Sequence, residues 1–461
     1  MKAFIPIFTL TLGTLMAAST VIPPSDSNLS LTIYTNDRAF IHEKRQVSVP
    51  AGDQRLVYQN VPNTVIPSSV IPEFSGIPVT LYSQNYVYDL ISLTSMLQKS
   101  IGQKVLYRPD PKSRDLKEGL LLSAAPSVMI RTESKGRIVT LKDPSQVVFP
   151  TIPPTMITRP SLVWHIQTPK AGPLDVDLKY LSRGLSWRSD YVLNLHPKKH
   201  TFDLVGWITV DNRTGVSYPH AKIYCLAGEV HTEEKRPMPR AIYKTMAMAA
   251  PNVKEESFAG YHLYTIPFRE TIRAKEKKQI RFLEKAGITY RQFARAKVHS
   301  FQRSGELRLS FLNTLTFRNS ASNGLGLPLP RGIVRMYSPD ASGTFRFIGE
   351  SRLGNTPADE RVNLSIGTLF DVTGTKKTLK YIARDNYRNV VSQYTLHNRG
   401  DVPRVLKIEE QIPTYGGTIR LKSSCSGPCS VRKLTAFVRE FTVRLKPKES
   451  YKFTSEFEVI R

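Results

Sequence analysis

Most of the chain alternates apolar and polar residues, the two-residue period of half-buried β-strands. In LSLTIYTNDRAFIHEKRQVSVPAGDQRLVYQNVP, Leu31, Ile33, Val47 and Val49 fall at strand spacing, and Pro50-Ala51-Gly52-Asp53 reads as a turn. This predicts an N-terminal β unit over 28–85. The pattern breaks at YVYDLISLTSMLQKS (86–100), where Val87, Leu90, Ile91, Leu93 and Leu97 recur at helical spacing and Gly102 follows as a stop. The next stretch reads as five very short strands with turns at Pro109-Asp110-Pro111 and Lys135-Gly136. Helix and strands together predict a unit over 86–155 whose β part is a small barrel of the SH3 or Sm type.

Alternation resumes over 156–360, a central β domain with strand-like LVWHIQ, DVDLKYLS, WRSDYVLNLH, TFDLVGWITVDN and AKIYCLAG. RPMPRAIYKTMAMAAPNVKEES (236–257) reads as a mobile loop. The segment from Arg269 to Val298 has helical propensity, but Ile272, Ile280 and Phe282 before Gly287 suit long hairpin arms, and strands are the favoured reading. Residues 361–461 hold KTLKYIARD, VVSQYTLHN, VPRVLKIEEQI, GTIRLKSS, AFVREFTVRL and YKFTSEFEVIR. About seven short strands in such a span predict an immunoglobulin-like sandwich. The fold class expected is therefore mainly β: tandem antiparallel sandwich or barrel modules with one short helix.

GLGLPLPRGIVRMYSPDASGTFRFIGE (324–350) invites comparison with a phosphate cradle. It has no Lys-Ser/Thr after the glycines, and its prolines remove backbone donors and forbid a helix there. Ile333, Arg335 and Tyr337 alternate as a strand, Ser338 to Gly343 is a turn, and Thr344 to Ile348 is the partner strand. The segment reads as a β-hairpin with a Pro-rich entry, and its exposed Arg331 and Arg335 are candidate anion contacts.

The first twenty residues, MKAFIPIFTLTLGTLMAAST, carry one Lys, an apolar stretch from Ala3 to Ala18, and small residues placed for a cut at Thr20. That is the pattern of a secretory signal peptide over 1–19. The stretch is short for a membrane span, which needs roughly 20 residues, although an uncleaved anchor is the alternative. The expected location is the periplasm or cell surface, with no transmembrane span in the mature chain. Cysteine usage fits export. Cys425 and Cys429, with Gly427-Pro428 between them, suit a disulfide in an oxidising compartment; the rival reading is a metal or redox pair. Cys225 sits in an apolar run and reads as a buried thiol.

Lys and Arg number 65 against 38 Asp and Glu, a formal net charge of +27. Such an excess attracts polyanions: nucleic acid, acidic polysaccharide, lipopolysaccharide or a membrane surface. Export removes the usual nucleic-acid partner. The charge is spread along the chain, as on a solvated basic surface.

Catalytic constellations are thin. HExxH and GxSxG are absent, and Ser430-Val431-Arg432-Lys433 matches SxxK only beside the cysteine loop. His196 and His200 have i, i+4 spacing, but Pro197 and two lysines between them suit a surface turn better than a metal site. Asp175 and Asp177 would share one strand face. Trp164, Trp187 and Trp207 read as core, or as a sugar-stacking platform. Asn212-Arg213-Thr214 fits a glycosylation sequon. No catalytic, cofactor or metal residues are assigned.

YLSRGLSWRSDYVLNL (180–195), SQNYVYDL (83–90), GWITVDNRTGVSY (206–218), GLGLPLPRGIVRMY (324–337) and FIGES (347–351) together resemble a bacterial exported family, domain of unknown function four-one-three-nine, also labelled mucoidy inhibitor A-like. The resemblance marks Tyr180, Gly184, Trp187, Tyr191, Gly206, Trp207, Gly324, Gly326, Pro328, Pro330, Gly349 and Glu350 as structural motif positions. Longer relatives carry a long coiled coil that is missing here. The family has no established catalytic residues. The resemblance implies a secreted, β-rich envelope protein, and its label points to exopolysaccharide. With the signal peptide, the serial β-modules, the basic charge and the thin catalytic set, the expectation is a non-enzymatic binding or structural module whose partner is an anionic envelope polysaccharide, lipopolysaccharide or another envelope protein. A hydrolase acting on envelope polysaccharide or peptide is the alternative.

Overall fold

The structure, a computed structural model, describes residues 18–24, 28–88, 91–111, 114–133, 136–151, 159–228, 254–258, 260–300, 305–413, 417–425 and 427–460. Strands dominate, as the alternation predicts, and the chain divides into two compact units. The first comprises Met1–Ser186, Asp211–Tyr224 and Phe268–Lys277; the second comprises Trp187–Val210, Cys225–Pro267 and Lys278–Arg461.

In the first unit a four-stranded sheet runs in the order Ala18–Ile22, Gly52–Gln59, Ser161–Thr168, Thr80–Val87. A second sheet sets Leu29–Tyr34 against Arg38–Val49, then Gly172–Arg183, then Ile71–Ser75, all antiparallel. Trp164 of the first sheet meets Phe74 of the second edge-on at 5.7 Å, and Arg45 stacks 3.8 Å above the Tyr58 ring. The core between them is strand residues taken from every second position: Leu31, Ile33, Ile41, Leu56, Val176 and Leu178 are all buried. Arg45 is buried too. It pairs with Glu43 at 2.8 Å and donates to the Gln59 carbonyl at 2.7 Å, while Tyr180 donates to Glu43 at 3.2 Å. A buried ion pair held this fully keeps its desolvation cost offset.

The helix is Leu93–Lys99, shorter than the spacing over 86–100 predicts, because Thr80–Val87 is drawn into pairing with Ser161–Thr168. Ser92 caps the helix, accepting from the Ser95 amide at 3.1 Å, and Leu97 packs on Val105, Leu121 and Ile130. The five strands after it form an antiparallel sheet in the order Ile138–Leu141, Val128–Thr132, Lys117–Ser123, Lys104–Tyr107, Val147–Val148. The expected barrel does not close. Its two edges are a four-residue and a two-residue strand, and closure needs long, staggered edge strands that pair with each other.

In the second unit a five-stranded sheet runs Lys277–Thr289, Thr201–Asn212, Leu185–His196, Gly332–Pro339, Phe345–Leu353. Lys277–Thr289 and Arg291–His299 are strands, as favoured, but they are not two arms of one hairpin: the first joins this sheet beside Thr201–Asn212, and the second pairs with Leu312–Arg318 and Arg404–Gln411 in another. A sandwich follows. One sheet is Arg361–Thr368, Leu312–Arg318, Arg291–His299, Arg404–Gln411, Val438–Leu445, Cys429–Lys433; the other is Glu306–Leu309, Val372–Arg384, Tyr387–Asn398, Ser450–Ile460, Thr418–Ser423. The module read over 361–461 thus takes three strands from before residue 361. Phe311, Tyr394, Leu406, Ile408, Phe441 and Phe457 fill its core. Lys376 and Glu410, fully buried, bridge the two sheets at 2.9 Å. The loop read over 236–257 lies outside the described residues, apart from the strand Lys254–Phe258. Among the described residues no helix is long and apolar enough to cross a membrane.

Candidate functional site

The strand Leu185–His196 turns Tyr191, Leu193 and Leu195 into the core and Val192, Asn194 and His196 outward. Its parallel neighbour Gly332–Pro339 sets Arg335 beside Val192 and Tyr337 beside Asn194. On the next strand, Glu350 lies opposite Arg335, Phe347 opposite Tyr337, and Phe345 opposite Pro339. On Thr201–Asn212, half-buried Asp203, Val205 and Trp207 alternate with buried Phe202, Leu204 and Ile208. Together these residues make one open sheet face.

A β-bulge determines its character. Gly349 pairs with Met336 and Phe347 with Tyr337, so Ile348 is left without a partner. Without that extra residue Phe347 and Phe345 would continue the inward phase of Leu353, Ser351 and Gly349. With it they point outward, and they are 56 % and 43 % exposed. The bulge requires glycine: Gly349 has φ +151, and a Cβ there would lie 2.1 Å from the Ile366 carbonyl oxygen.

One end of the face is charged. Asp190 accepts from Arg188 Nε at 3.1 Å and Thr209 Oγ1 at 2.8 Å, and its second oxygen lies 3.4 Å from Arg335 Nη1. Arg335 Nε stands 3.7 Å from Glu350. The other end is aromatic. Tyr337 and Phe347 meet edge-on at 5.7 Å, and the His196 ring meets Phe345 at 6.1 Å. Asp203 holds His196 Nε2 at 2.9 Å and accepts from the Gly287 amide. The His196 hydrogen bond, aided by the Gly287 amide and against some burial, keeps the Asp203 carboxyl below the usual range. The hairpin tip is stiff: Asp340 accepts from the Ser342 and Thr344 amides at 2.9 and 3.1 Å and from Arg346 Nε at 2.9 Å.

Apart from Trp207 and Glu350, which lie on this face, the motif positions are scaffolding beneath it or apart from it. Tyr191 donates to the Pro330 carbonyl at 2.7 Å, Tyr264 to Pro328 at 3.1 Å, and Asn319 to Leu327 at 2.7 Å, which fixes the Pro-rich entry. Gly324 and Gly326 both have positive φ, and Gly206 sits against the Phe282 ring. Trp187 is buried and donates to the Leu226 carbonyl. Tyr180 and Gly184 belong to the first unit, where Gly184 accepts from the Arg213 amide. Of the tryptophans, Trp164 and Trp187 are core and only Trp207 reaches the open face. Arg335, one candidate anion contact, is engaged by Asp190 and Glu350; Arg331 is exposed at the strand's start. Sequence reasoning missed Tyr337, Phe345, Phe347 and His196 as a group. The alternation of Phe345 and Phe347 was visible, but not the bulge that turns them out.

A second polar face lies in the first unit, on Arg38–Val49, Gly172–Arg183 and Ile71–Ser75. It lines a cleft of about 620 Å³ with Asn28, Lys44, Gln46, Glu73, Asp175 and Asp177. Asp175 and Asp177 do share this face. Lys44 and His42 hold Asp177 at 2.6 and 2.7 Å, Gln46 donates to Asp175 at 2.8 Å, and Lys179 holds Glu73 at 2.8 Å. Burial pushes the Asp177 carboxyl up, but hydrogen bonds and charge from Lys44 and His42 outweigh it and hold the group below the usual carboxylate range. It stays an anion, which is the wrong state for an acid catalyst.

His196 and His200 flank a 3₁₀ turn, Pro197–Lys199, and their rings go to Phe345 and Tyr290. Among the described residues no group of three or more His, Cys, Asp or Glu is arranged to hold a metal. Cys425 and Cys429 are joined by a disulfide with Cα atoms 5.6 Å apart. The Cys225 thiol is buried, and burial pushes it far above its ordinary value, so it is a poor nucleophile. Ser430 and Lys433 lie on a strand, Cys429–Lys433, rather than the helix an SxxK nucleophile needs. Asn212 of the sequon is fully buried, its amide donating to Val216 and Arg273. No protein-family model matches the chain, and no curated protein matches it.

Proposed function

We propose that the protein is an exported cell-envelope component, of the mucoidy inhibitor A-like kind its motifs resemble, that binds an anionic partner without chemistry. The partner is an acidic polysaccharide, lipopolysaccharide or another envelope protein. The charge balance carries the reading. Even with every carboxylate paired one to one, 65 minus 38 leaves 27 cations with no acidic side chain to serve. Anions supplied from outside are what such a surplus attracts.

The test is binding of the purified protein to lipopolysaccharide and to an acidic glycan across a salt series. Affinity should fall steeply between low and physiological salt, because exposed charges are screened over roughly 8–10 Å. No binding at low salt would remove the reading. The hydrolase alternative draws on the carboxylates of the cleft. It needs one carboxyl kept protonated near neutral pH, and Asp177 is displaced the other way. Release of reducing ends from an envelope polysaccharide, abolished in Asp177→Asn, would favour the hydrolase instead.

A further inference from the structure

We infer that the aromatic end of the open sheet face, built by Tyr337, Phe345, Phe347 and His196, is a stacking subsite for an acidic polysaccharide chain. The inference rests on the binding reading above and gives it a place and a ligand class.

Phe345 and Phe347 are two residues apart on one strand, so their side chains stand on the same face about 7 Å apart. With Tyr337 opposite Phe347 and His196 against Phe345, four rings share a patch at which both phenylalanines are about half exposed. The C–H face of a pyranose complements the electron-rich face of an aromatic ring; within the two pairs the rings cross at 65° and 89°, so one ring of each pair can present its face while the other supports it edge-on. Groups that pair with hydroxyls adjoin the rings. Asn194 is beside Tyr337, and Arg335 and Glu350 form the next row. The turn after His196 carries exposed Lys198 and Lys199, placed for the carboxylates of a uronate. The platform is ordered before the ligand arrives: the Asp340 carboxylate fixes the turn, and Asp203 fixes His196. The turn and His196 then have little entropy left to lose on binding.

A lipid surface is a poorer occupant. The hairpin tip ahead of the phenylalanines is Asp340, Ser342, Gly343 and Thr344, all exposed, so insertion tip-first would bury polar groups before any ring.

The test titrates the purified protein with an oligo-uronate, with polyglutamate as a polyanion lacking sugar rings, and with phosphatidylglycerol vesicles. Wild type is compared with Phe345→Ala/Phe347→Ala and with Lys198→Ala/Lys199→Ala. Circular dichroism and melting confirm that each variant folds. The oligo-uronate should bind, and the double phenylalanine variant should bind it about tenfold more weakly, as expected for losing aromatic anchors. The lysine variant should show a shallower salt dependence with the aromatic contribution retained. Unchanged oligo-uronate affinity in the phenylalanine variant would overturn the subsite while leaving anion binding intact. Polyglutamate binding with the same phenylalanine dependence would also overturn it, as would phenylalanine-dependent vesicle binding without glycan binding. Failure to bind any polyanion at low salt would bring down the broader reading, so the two failures are distinguishable.

Discussion

On the cleft face of the first unit, each carboxylate is held by a cation or an amide. Lys44 stands opposite and holds Asp177, Gln46 donates to Asp175, and Glu73, a like charge across the next strand pair from Asp177, is held by Lys179. On the open face of the second unit the same two-residue alternation begins with charge and then stops. Arg335 faces Glu350, but the next rows are Tyr337 facing Phe347 and Pro339 facing Phe345. One face satisfies its own electrostatics; the other leaves aromatic surface in water. Charge neutralised within the chain has little left to offer a ligand, whereas exposed rings still have a burial term to gain. The difference between the faces, rather than the number of polar residues on either, separates scaffold from candidate site.

Breaking the bulge should have the largest effect. Gly349→Ala puts a Cβ 2.1 Å from a backbone oxygen at φ +151, where no flexible side chain can yield. We expect a loss of about 3 kcal/mol or more in denaturant unfolding, from backbone strain and overpacking combined. The open face should lose its geometry, while the ion pairs of the cleft face are untouched. A variant as stable as wild type would mean that the tight approach, and the outward phase it sets, is wrong.

Asp190→Asn comes next. The carboxylate is nearly buried and serves Arg188, Arg335 and Thr209. Removing its charge leaves two guanidiniums facing each other's field, and about 2 kcal/mol is expected, below the full cost of a broken buried pair because both arginines reach solvent. Glycan affinity measured on the same variant would show how far the charged end supports the aromatic end.

Legibility in the sequence followed the range of the physics. Alternation is local, so strands such as Leu185–His196 and Thr201–Asn212 could be read directly. Pairing is not local. Arg291–His299 lies parallel to Arg404–Gln411, more than a hundred residues on, and nothing in either segment names the other. The shortened helix fails for the same reason, since Ser161–Thr168, far along the chain, draws in Thr80–Val87, whereas the five-stranded sheet stays open because its edge strands are too short to pair. At the site, the hairpin, its turn and Arg335 were readable. The exposure of Phe345 and Phe347 was not, because period two says which residues share a face but not which face is wet. Only the unpartnered Ile348 settles that.

On the cleft face, Asp177→Asn should cost under about 1 kcal/mol, since Lys44 is more than half exposed and water competes for the pair. The pH dependence gives the sign. The folded carboxyl lies below the usual 3.8, so its contribution is present above that value and is lost as pH falls through the folded one. Wild type and variant should therefore differ at pH 5–7 and converge in strong acid, read from denaturation midpoints. A gap that widens on acidification would reverse the assignment of Asp177 as a held anion.

The smallest effect on stability is the most informative about function. Phe345→Ala and Phe347→Ala remove rings about half in water, whose ring contacts are with His196 and Tyr337 on the same open face. Truncating a core phenylalanine costs about 3–5 kcal/mol, through lost burial and the cavity left behind. Here the area withdrawn from water is small and no cavity can form, so each change should stay within about 0.5 kcal/mol. A loss of core size would mean that the rings hold the hairpin together, and the open face would then be as closed as the cleft.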